Sequence, residues 1–266
     1  MTKEIITLGP QFSYSHNLVQ KMYKDYSIEL VDSIREVFDG LDKFKTGVVP
    51  VENMLNGSVR ETFLELQRRD IHIFGGFDYT LNHVLASKSK DFTTVMSHPQ
   101  ALVQCGDFIH SLKQKGITII KTSSTSKAMK LASQDKNIAA IGSKAAAKYY
   151  NLRIIKEKIS DKQNNITRFV EIGLKEYNEK GAQTSLIIIP RKDKVGLLFE
   201  ILAVFKIKNL NLTKIESMPT GEKMNDYIFY VDVEGSLNQG EMQDALEFLQ
   251  TFVDVKVFGS YNIIQV

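Results

Sequence analysis

The chain has 266 residues, of which 43% are hydrophobic and 24% charged, and its formal net charge is +3. This composition is typical of a globular protein with one large domain or two ordinary ones, and the weak, scattered positive charge gives no argument for nucleic-acid binding. No apolar run is long enough to span a bilayer. The single cysteine, Cys105, excludes an internal disulfide and suits a reducing compartment. With no signal-peptide pattern at the N-terminus, we expect a cytoplasmic protein that does not bind membranes.

Strands and helices alternate along the first part of the chain. Strands are predicted at 5–8, 46–51, 71–74 and 79–86, with helices from Ser13 or Ser15 to Tyr23, at 34–38 after the capping Ser33, and at 59–68. A second unit follows, with strands at 94–96, 117–121, 138–141 and 152–155, and helices at 99–115, 124–133 and 145–150. This alternation favours two α/β lobes.

The polar residues 174–183 have no apolar pattern and are predicted to form a linker. Beyond them we predict a strand at 184–189, a helix at 196–208, strands at 212–217 and 227–233, a helix at 239–252 and a strand at 255–260. The order βαββαβ is ferredoxin-like. Each helix has one apolar face that would cover a four-stranded antiparallel sheet.

Between these parts, the polar loop at 161–165 leads directly into an apolar strand. Strand alternation places Thr167 and Phe169 on one face and Ile166 and Arg168 on the other. In an open α/β sheet, strand ends and their loops bind ligands. Taken alone, however, Thr167 is also typical of a strand former and Arg168 of a surface charge.

Several kinds of catalytic site are missing from the sequence. It contains neither a Gly-x-Gly-x-x-Gly nor a Walker A motif, and no Gly-x-Ser-x-Gly elbow. The five histidines and the single cysteine show no spacing suited to a metal. We therefore expect neither a metal nor a cofactor.

The stretch around Thr167 is accompanied by other blocks in the order found in one enzyme family. Asn165 to Phe169 resembles the Asn-x-Thr-Arg-Phe signature of the prephenate dehydratases. The other resembling blocks are Leu8-Gly9-Pro10; Gly47-Val48-Val49-Pro50-Val51-Glu52-Asn53 with Gly57-Ser58-Val59; Ser97-His98-Pro99-Gln100-Ala101-Leu102 with Gln104-Cys105; and Ser124-Thr125. Near the C-terminus, Asn211 to Ser217 resembles the ligand-binding strand of that family's ACT domain. The resemblance covers nearly the whole chain.

The resemblance implies a two-lobed catalytic domain, similar to the periplasmic binding proteins, and a ferredoxin-like ACT regulatory domain. The catalytic domain is expected at 1–176, with lobe 1 at about 1–80 and 160–176 and lobe 2 at about 81–159, and the ACT domain at 184–266. The implied reaction converts prephenate to phenylpyruvate in phenylalanine synthesis, with loss of CO₂ and the ring hydroxyl. L-Phenylalanine is the implied effector, and a homodimer or homotetramer the implied assembly.

The same resemblance implies which residues form the sites. Thr167 matches the family's catalytic threonine and is expected to donate a hydrogen bond to the leaving hydroxyl. Arg168 faces away from Thr167 on a regular strand and is expected to orient a loop or the other lobe. The residues implied to bind substrate are Ser13, Ser15, Asn53, Ser124, Thr125, Asn165 and Arg168. The residues implied to bind phenylalanine are Gly196, Leu197, Leu198, Asn211, Leu212, Glu216 and Ser217.

The residues themselves leave simpler roles open. Asn53 also fits an Asx turn, and Asn165 also fits the turn before the strand. Ser124 and Thr125 stand at a predicted helix start, where a capping role would be sufficient.

The chain departs from the family pattern at three positions. Phe12 stands where the first motif has glycine, which predicts that the backbone there needs no glycine-only conformation. Met54 replaces a serine after Glu-Asn. Met218 replaces the arginine of the ACT motif Glu-Ser-Arg-Pro and so removes a charge and five donors. An ACT domain that serves dimerisation alone is therefore an alternative to one that binds phenylalanine.

Three other functions remain open at this stage. Two are sister activities on the same scaffold, arogenate dehydration and non-aromatising decarboxylation of prephenate. The third is a non-catalytic phenylalanine sensor, which Phe12 and Met54 motivate because they alter motifs of the implied active site.

Overall fold

The strands form three sheets, and the order of elements largely follows the predicted one. The computed structural model describes residues 3–220 and 227–266. In that part of the chain, strands β1 to β16 are Lys3–Leu8, Tyr26–Val31, Thr46–Asn53, Gly57–Ser58, His72–Thr80, Val84–Ser87, Thr94–Ser97, Thr118–Lys121, Ile138–Gly142, Arg153–Lys156, Ile166–Gly173, Gln183–Pro190, Leu212–Pro219, Tyr227–Glu234, Val253–Tyr261 and Ile263–Gln265. Helices α1 to α10 are Tyr14–Met22, Ile34–Asp39, Leu41–Phe44, Arg60–Arg68, Pro99–Gln104, Gly106–Gln114, Thr125–Ala132, Lys144–Tyr149, Leu197–Ile207 and Gly240–Leu249.

Two sheets define two lobes. The lobe 1 sheet has the order β16-β5-β11-β3-β1-β2, with β4 paired to β3, and the lobe 2 sheet has the order β10-β6-β9-β7-β8. The chain crosses from lobe 1 to lobe 2 after β5 and returns before β11, where the amide of Leu81 donates to the carbonyl oxygen of Asn165 at 2.7 Å. These two crossings confirm the two-lobed, twice-crossed architecture.

The C-terminal sheet has the order β13-β14-β12-β15, with antiparallel neighbours throughout. Helices α9 and α10 cover one face of this sheet and share an apolar cluster with it. The predicted βαββαβ order is therefore confirmed. An additional strand, β16, was not predicted, and it pairs with β5 of lobe 1 instead of with the C-terminal sheet.

Two predicted elements are interrupted in the structure. The strand predicted at 79–86 is divided between β5 and β6, because residues 81–83 form the first crossing between the lobes. The helix predicted at 99–115 breaks at Cys105, whose φ of −117° and ψ of 34° are not helical. Asp161 of the second crossing accepts hydrogen bonds from the amides of Gly106 and Asp107, so a new helix start forms there.

The other face of the C-terminal sheet packs on lobe 1 and forms one apolar core with it. In this shared core the Phe63 ring of α4 lies 4.5 Å from the Tyr230 ring. Lys256 caps the C-terminus of α4 by donating to the carbonyl oxygens of Leu66 and Arg69. Two domains joined in this way are expected to move as one body.

A polar contact lies at the other end of α4. Lys214 of β13 donates to Glu52 at 2.7 Å and to the Ser58 hydroxyl at 2.9 Å, and Ser58 donates to Glu216 at 2.8 Å. Glu52 immediately precedes Asn53 at the end of β3. The C-terminal domain therefore contacts the strand that carries a predicted site residue.

Within the described ranges 3–220 and 227–266, no helix is both long enough and apolar enough to cross a membrane.

Candidate active site

Thr167 lies between two strands at the cleft between the lobes. It is the second residue of β11, and its Cα pairs with those of Asn53 in β3 and Tyr79 in β5. Strand alternation gives Thr167 and Phe169 the same face, as predicted, and both line the cleft cavity. Thr167 is 7% exposed. The Thr167 hydroxyl is thus held in the cleft lining by a strand that is paired on both sides.

Asn53 fixes the orientation of that hydroxyl. The Asn53 Oδ1 atom accepts from the amides of Leu55 and Asn56, both at 3.2 Å, which is an Asx turn. The Nδ2 group must then be the donor side of the amide, and it donates to Thr167 Oγ1 at 2.8 Å and to Asn165 Oδ1 at 2.7 Å. Since Oγ1 accepts from Asn53, the Thr167 hydrogen is left to donate to a bound ligand.

The same reasoning fixes the next members of the network. Asn165 Oδ1 accepts from Asn53, so Asn165 Nδ2 is the donor that reaches Gln104 Oε1 at 3.0 Å. Gln104 Oε1 also lies 2.8 Å from His83 Nε2, which must therefore carry the proton. His83 Nδ1 is then the acceptor for the Tyr14 hydroxyl, 2.7 Å away.

Burial favours the neutral forms that this network requires. Burial lowers the pKa of His83, although its hydrogen bond with Gln104 acts in the opposite direction. Burial likewise raises the pKa of Tyr14 well above its ordinary value. Cys105, which follows Gln104, is fully buried, and burial raises its pKa to about 12. This thiol is a small core residue, and the raised pKa keeps it in its protonated, weakly nucleophilic form at neutral pH.

Gln104 joins the two crossing segments and retains an unused donor. Its Oε1 atom binds His83 of the first crossing and Asn165 of the second. Its Nε2 atom is buried and has no hydrogen-bond partner within the described residues. Because Gln104 lines the cleft, this amide is a ready donor for an acceptor on a ligand.

The cleft cavity of about 290 Å³ has no cation in its lining within the part of the chain that the structure describes. The N-termini of α1 and α7, capped by Ser13 and Ser124, reach it from opposite lobes. The start of α5 adds His98 and Gln100. Helix N-termini attract carboxylates through free amides and the positive end of the helix dipole, so this cavity suits an anionic ligand without an ion pair. Apolar side chains complete the wall, namely Leu8, Pro50, Val59, Leu81 and Phe169.

The cavity brings together most of the residues expected at the substrate site. The expected residues that line it are Ser13, Ser15, Asn53, Ser124, Thr125 and Thr167. Asn165 is 0% exposed and is not part of the lining, because both ends of its amide are bound by neighbours. Six polar lining residues were not predicted as site residues, namely Tyr14, His83, His98, Gln100, Gln104 and Ser123. Gln104 belongs to one of the sequence blocks that resemble the family motifs, and this position was the only feature of the sequence that could have indicated a role for it in the site.

Arg168 also lies outside the cavity lining, because β11 alternation turns it to the opposite face. It forms a two-point hydrogen bond with Asp78, at 2.7 and 2.9 Å. Gln265 of β16 donates to the same carboxylate at 3.0 Å. Burial disfavours the Asp78 charge, but the hydrogen bonds from Arg168 and Gln265 outweigh it and lower the pKa. Arg168 faces away from Thr167, as predicted, but its partner Asp78 lies on the neighbouring strand β5 and not in a loop or in the other lobe. Arg168 is therefore placed to support the strand and not to line the cavity.

The prediction for Phe12 was wrong. Its φ is +63°, in the left-handed region that favours glycine. A non-glycine residue there costs about 1–3 kcal/mol, and burying a phenyl ring contributes about 1.5–3 kcal/mol. The ring is buried, so its packing offsets the strain. Met54, the second departure, is 65% exposed and does not line the cavity.

A separate cavity of about 670 Å³ lies in the C-terminal domain. Three of the residues expected to bind the effector line it, namely Gly196, Leu197 and Leu198, together with the aromatic residues Phe199, Tyr227 and Phe229. Gly196 has a φ of +85°, which favours glycine, and is the N-cap residue of α9. Asn211, Leu212, Glu216 and Ser217 do not line this cavity. Met218 is buried in the core shared with lobe 1, where an arginine would place a charge among apolar side chains.

Comparisons with known proteins match both parts of the chain. The family model described as prephenate dehydratase matches residues 5–177, and the model described as ACT domain matches residues 185–250. A prephenate dehydratase of Methanocaldococcus jannaschii is 39% identical, with 99% of each chain covered. An arogenate dehydratase/prephenate dehydratase of Arabidopsis thaliana is 32% identical over 96% of this chain and 71% of that protein.

A solved structure has the same fold. The prephenate dehydratase of Arthrobacter aurescens, in complex with L-Phe, superimposes with a TM-score of 0.87 at 25% identity and covers 97% of this chain and 90% of its own.

Proposed function

The chain belongs to the prephenate dehydratase family and is a prephenate dehydratase with a C-terminal ACT domain, and from that premise we propose that the cleft between the lobes is its active site and Thr167 its catalytic residue. The observation that carries this proposal is the hydrogen bond from Asn53 to Thr167 Oγ1 at 2.8 Å. Because Oγ1 accepts this bond, its hydrogen is available to donate to a ligand in the cavity that Thr167 lines.

The reaction needs positioning and a hydrogen-bond donor, and no strong acid or base. Prephenate loses CO₂ and its ring hydroxyl, and formation of the aromatic ring drives the step. Thr167 donates to the departing hydroxyl, which stabilises the negative charge that develops on that oxygen. The amides at the starts of α1 and α7 bind the carboxylates from both lobes. The apolar wall beside Phe169 gives one carboxylate poor solvation, which favours its departure as CO₂.

Asn53, Asn165 and Arg168 act as positioning residues in this scheme. The hydrogen bonds of the Asn53 amide go to protein partners at Thr167, Asn165 and the turn. Asn165 lies behind Asn53 in the network, and Arg168 holds the back of the strand through Asp78. Ser13, Ser15, Ser124 and Thr125 are the expected residues that remain in direct reach of a substrate.

Replacing Gln104 by leucine is expected to lower kcat/KM about 10- to 100-fold. The change removes a buried donor that has no hydrogen-bond partner within the described residues, and it leaves His83 and Asn165 without their shared acceptor. Gln114→Leu is the matched control, since Gln114 lies on the next helix, α6, is exposed and does not line the cavity; it should keep kcat/KM within about threefold. Steady-state kinetics with prephenate measures kcat/KM for both variants, and equal effects of the two substitutions would contradict a role for Gln104 in the site.

We further propose that L-phenylalanine binds the cavity of the ACT domain. Its carboxylate would meet the free amides at the start of α9, at Gly196, and its ring would lie against Phe199, Tyr227 and Phe229. The complex of the Arthrobacter aurescens relative with L-Phe supports this ligand. Several exposed apolar side chains near that cavity, Val195, Phe199, Leu202 and Ile215, support assembly into a homodimer or homotetramer through this domain.

The test is release of phenylpyruvate from prephenate, measured by its absorbance in alkali with and without L-phenylalanine. Turnover suppressed by phenylalanine supports both proposals. Turnover that phenylalanine leaves unchanged supports the cleft as the active site and contradicts the ACT-domain cavity as an effector site. Analysis of the products from prephenate and from arogenate separates the sister reactions, because simple decarboxylation leaves no aromatic ring. A folded protein that binds phenylalanine without turnover would instead be a sensor.

A further inference from the structure

Phe12 belongs to lobe 1 by sequence but packs in the core of lobe 2. It lies in the loop between β1 and α1, and its ring joins a buried cluster whose other members, such as Ala128 and Ala146, come from lobe 2. The ring centroid is 4.0 Å from that of Tyr149 on α8, and the ring is 8% exposed. One side chain thus crosses between lobes that the chain otherwise connects through two segments.

Polar contacts surround the ring and join the same two lobes. The carbonyl oxygen of Gln11 accepts from the Ser126 hydroxyl of α7, at 2.5 Å. Asn17 of α1 donates to Ser143 Oγ at 3.2 Å, and Ser143 caps α8. The Phe12 amide donates to His16 Nδ1 at 2.9 Å, which fixes the loop within lobe 1. The loop is therefore held on both sides, and its strained backbone is tied to that position.

The residues that follow Phe12 line the cleft. Ser13, Tyr14 and Ser15 face it from lobe 1, and Ser124 and Thr125 face it from lobe 2. Fixing Phe12 in lobe 2 therefore fixes the distance between these two sets. We propose that Phe12 is a positioning residue that latches the lobes together at one edge of the cleft and keeps the site in its substrate-binding arrangement.

A latch of this kind predicts a specific kinetic signature. When the binding-competent arrangement is only partly populated, the apparent dissociation constant rises by the inverse of that population. Phe12→Gly removes the ring while allowing the left-handed backbone. If about one-tenth of the molecules without the latch still have the substrate-binding arrangement, the KM for prephenate rises about tenfold. Saturating substrate shifts the lobes back to that arrangement, so kcat stays within about twofold.

Two further substitutions separate the ring from the backbone. Phe12→Ala also loses the ring and should show the same rise in KM, with an additional loss of thermal stability because alanine disfavours the left-handed region. Phe12→Leu keeps a large apolar side chain and should restore most of the KM. Equal KM values for parent and Phe12→Gly would overturn the latch, even if the melting temperature falls.

Tyr149→Ala provides the test from the other lobe in a variant that should fold normally. Tyr149 is 53% exposed, yet its ring is the nearest partner of Phe12. We expect KM to rise about two- to fivefold, and the double variant Phe12→Ala/Tyr149→Ala to be little worse than Phe12→Ala, since residues in contact are not additive. Phe248→Ala removes a comparably exposed ring from α10 of the C-terminal domain and should leave KM unchanged. Independent, multiplicative effects of the first two substitutions would contradict the contact as the latch.

Discussion

Replacing Thr167 by alanine is expected to lower kcat for prephenate by about 10²–10⁴-fold, the range measured when a positioned proton or hydrogen-bond donor is removed. The donor to the leaving hydroxyl disappears, while the cleft lining and the helix N-termini stay in place. KM should change less than kcat, because the hydroxyl acts mainly in the transition state. Stopped assays of phenylpyruvate over long incubations would measure the residual rate.

The folded state should tolerate this change. Asn53 Nδ2 loses one acceptor and keeps Asn165, so we expect a loss of about 1 kcal/mol in unfolding free energy. Thr167→Ser keeps the hydroxyl and should retain at least about a tenth of the parent kcat. Thr80→Ala is the control on the neighbouring strand, because Thr80 is exposed. Near-normal kcat in Thr167→Ala would move the catalytic role to another residue.

Replacing Asp78 by alanine is expected to destabilise the protein by about 3–5 kcal/mol. The Asp78 carboxylate is buried and binds Arg168 at two points, and its removal leaves the guanidinium without its charged partner. It also removes the acceptor of Gln265 and so loosens β16. Chemical denaturation measures the loss. Activity should fall as well, because Asp78 holds Arg168, and Arg168 is next to Thr167 on β11.

The double variant Asp78→Ala/Arg168→Ala should be less destabilised than the sum of the two single variants, since the partner charge is no longer stranded. Asp254→Ala removes an exposed ion pair with Arg191 and should cost less than about 1 kcal/mol.

The folded protein lowers the pKa of Asp78, so the contribution of this carboxylate to the free energy of unfolding depends on pH. The contribution is complete above the unfolded pKa of about 3.9 and is lost as pH falls through the lower folded value. The stability difference should thus be constant from about pH 8 to 5. A loss in Asp78→Ala as small as that in Asp254→Ala would contradict a structural role for the pair.

Local pattern predicted the strands and helices of the lobes because each element carries its own periodicity and caps. Ser33 and Ser124 cap helices in the structure, as expected from their positions at predicted helix starts. The break at Cys105 could not be read from the sequence, because it depends on Asp161, more than fifty residues further along the chain. The pairing of β16 with β5 is likewise a tertiary choice for a short apolar segment.

The lining of the candidate site could be predicted to the extent that its residues lie in recognisable blocks. Thr167 and Asn53 were expected there for that reason, and the structure adds that Asn53 donates a hydrogen bond to Thr167. His83 was missed because it stands in a crossing segment, where neither helical nor strand periodicity applies. Phe12 was misjudged for a different reason: side-chain identity is a poor guide to backbone conformation where burial of the ring offsets the strain.

The core shared by lobe 1 and the C-terminal sheet limits how such a chain can be divided or recombined. A cut in the 174–183 segment would strip lobe 1 of its edge strand β16 and of the cap that Lys256 gives to α4. The isolated catalytic domain would then expose an apolar surface and an unpaired sheet edge to solvent, a combination that promotes aggregation. We therefore expect the catalytic and ACT domains to depend on each other for stability. An ACT domain exchanged with that of a relative would need a matching α4 surface on lobe 1.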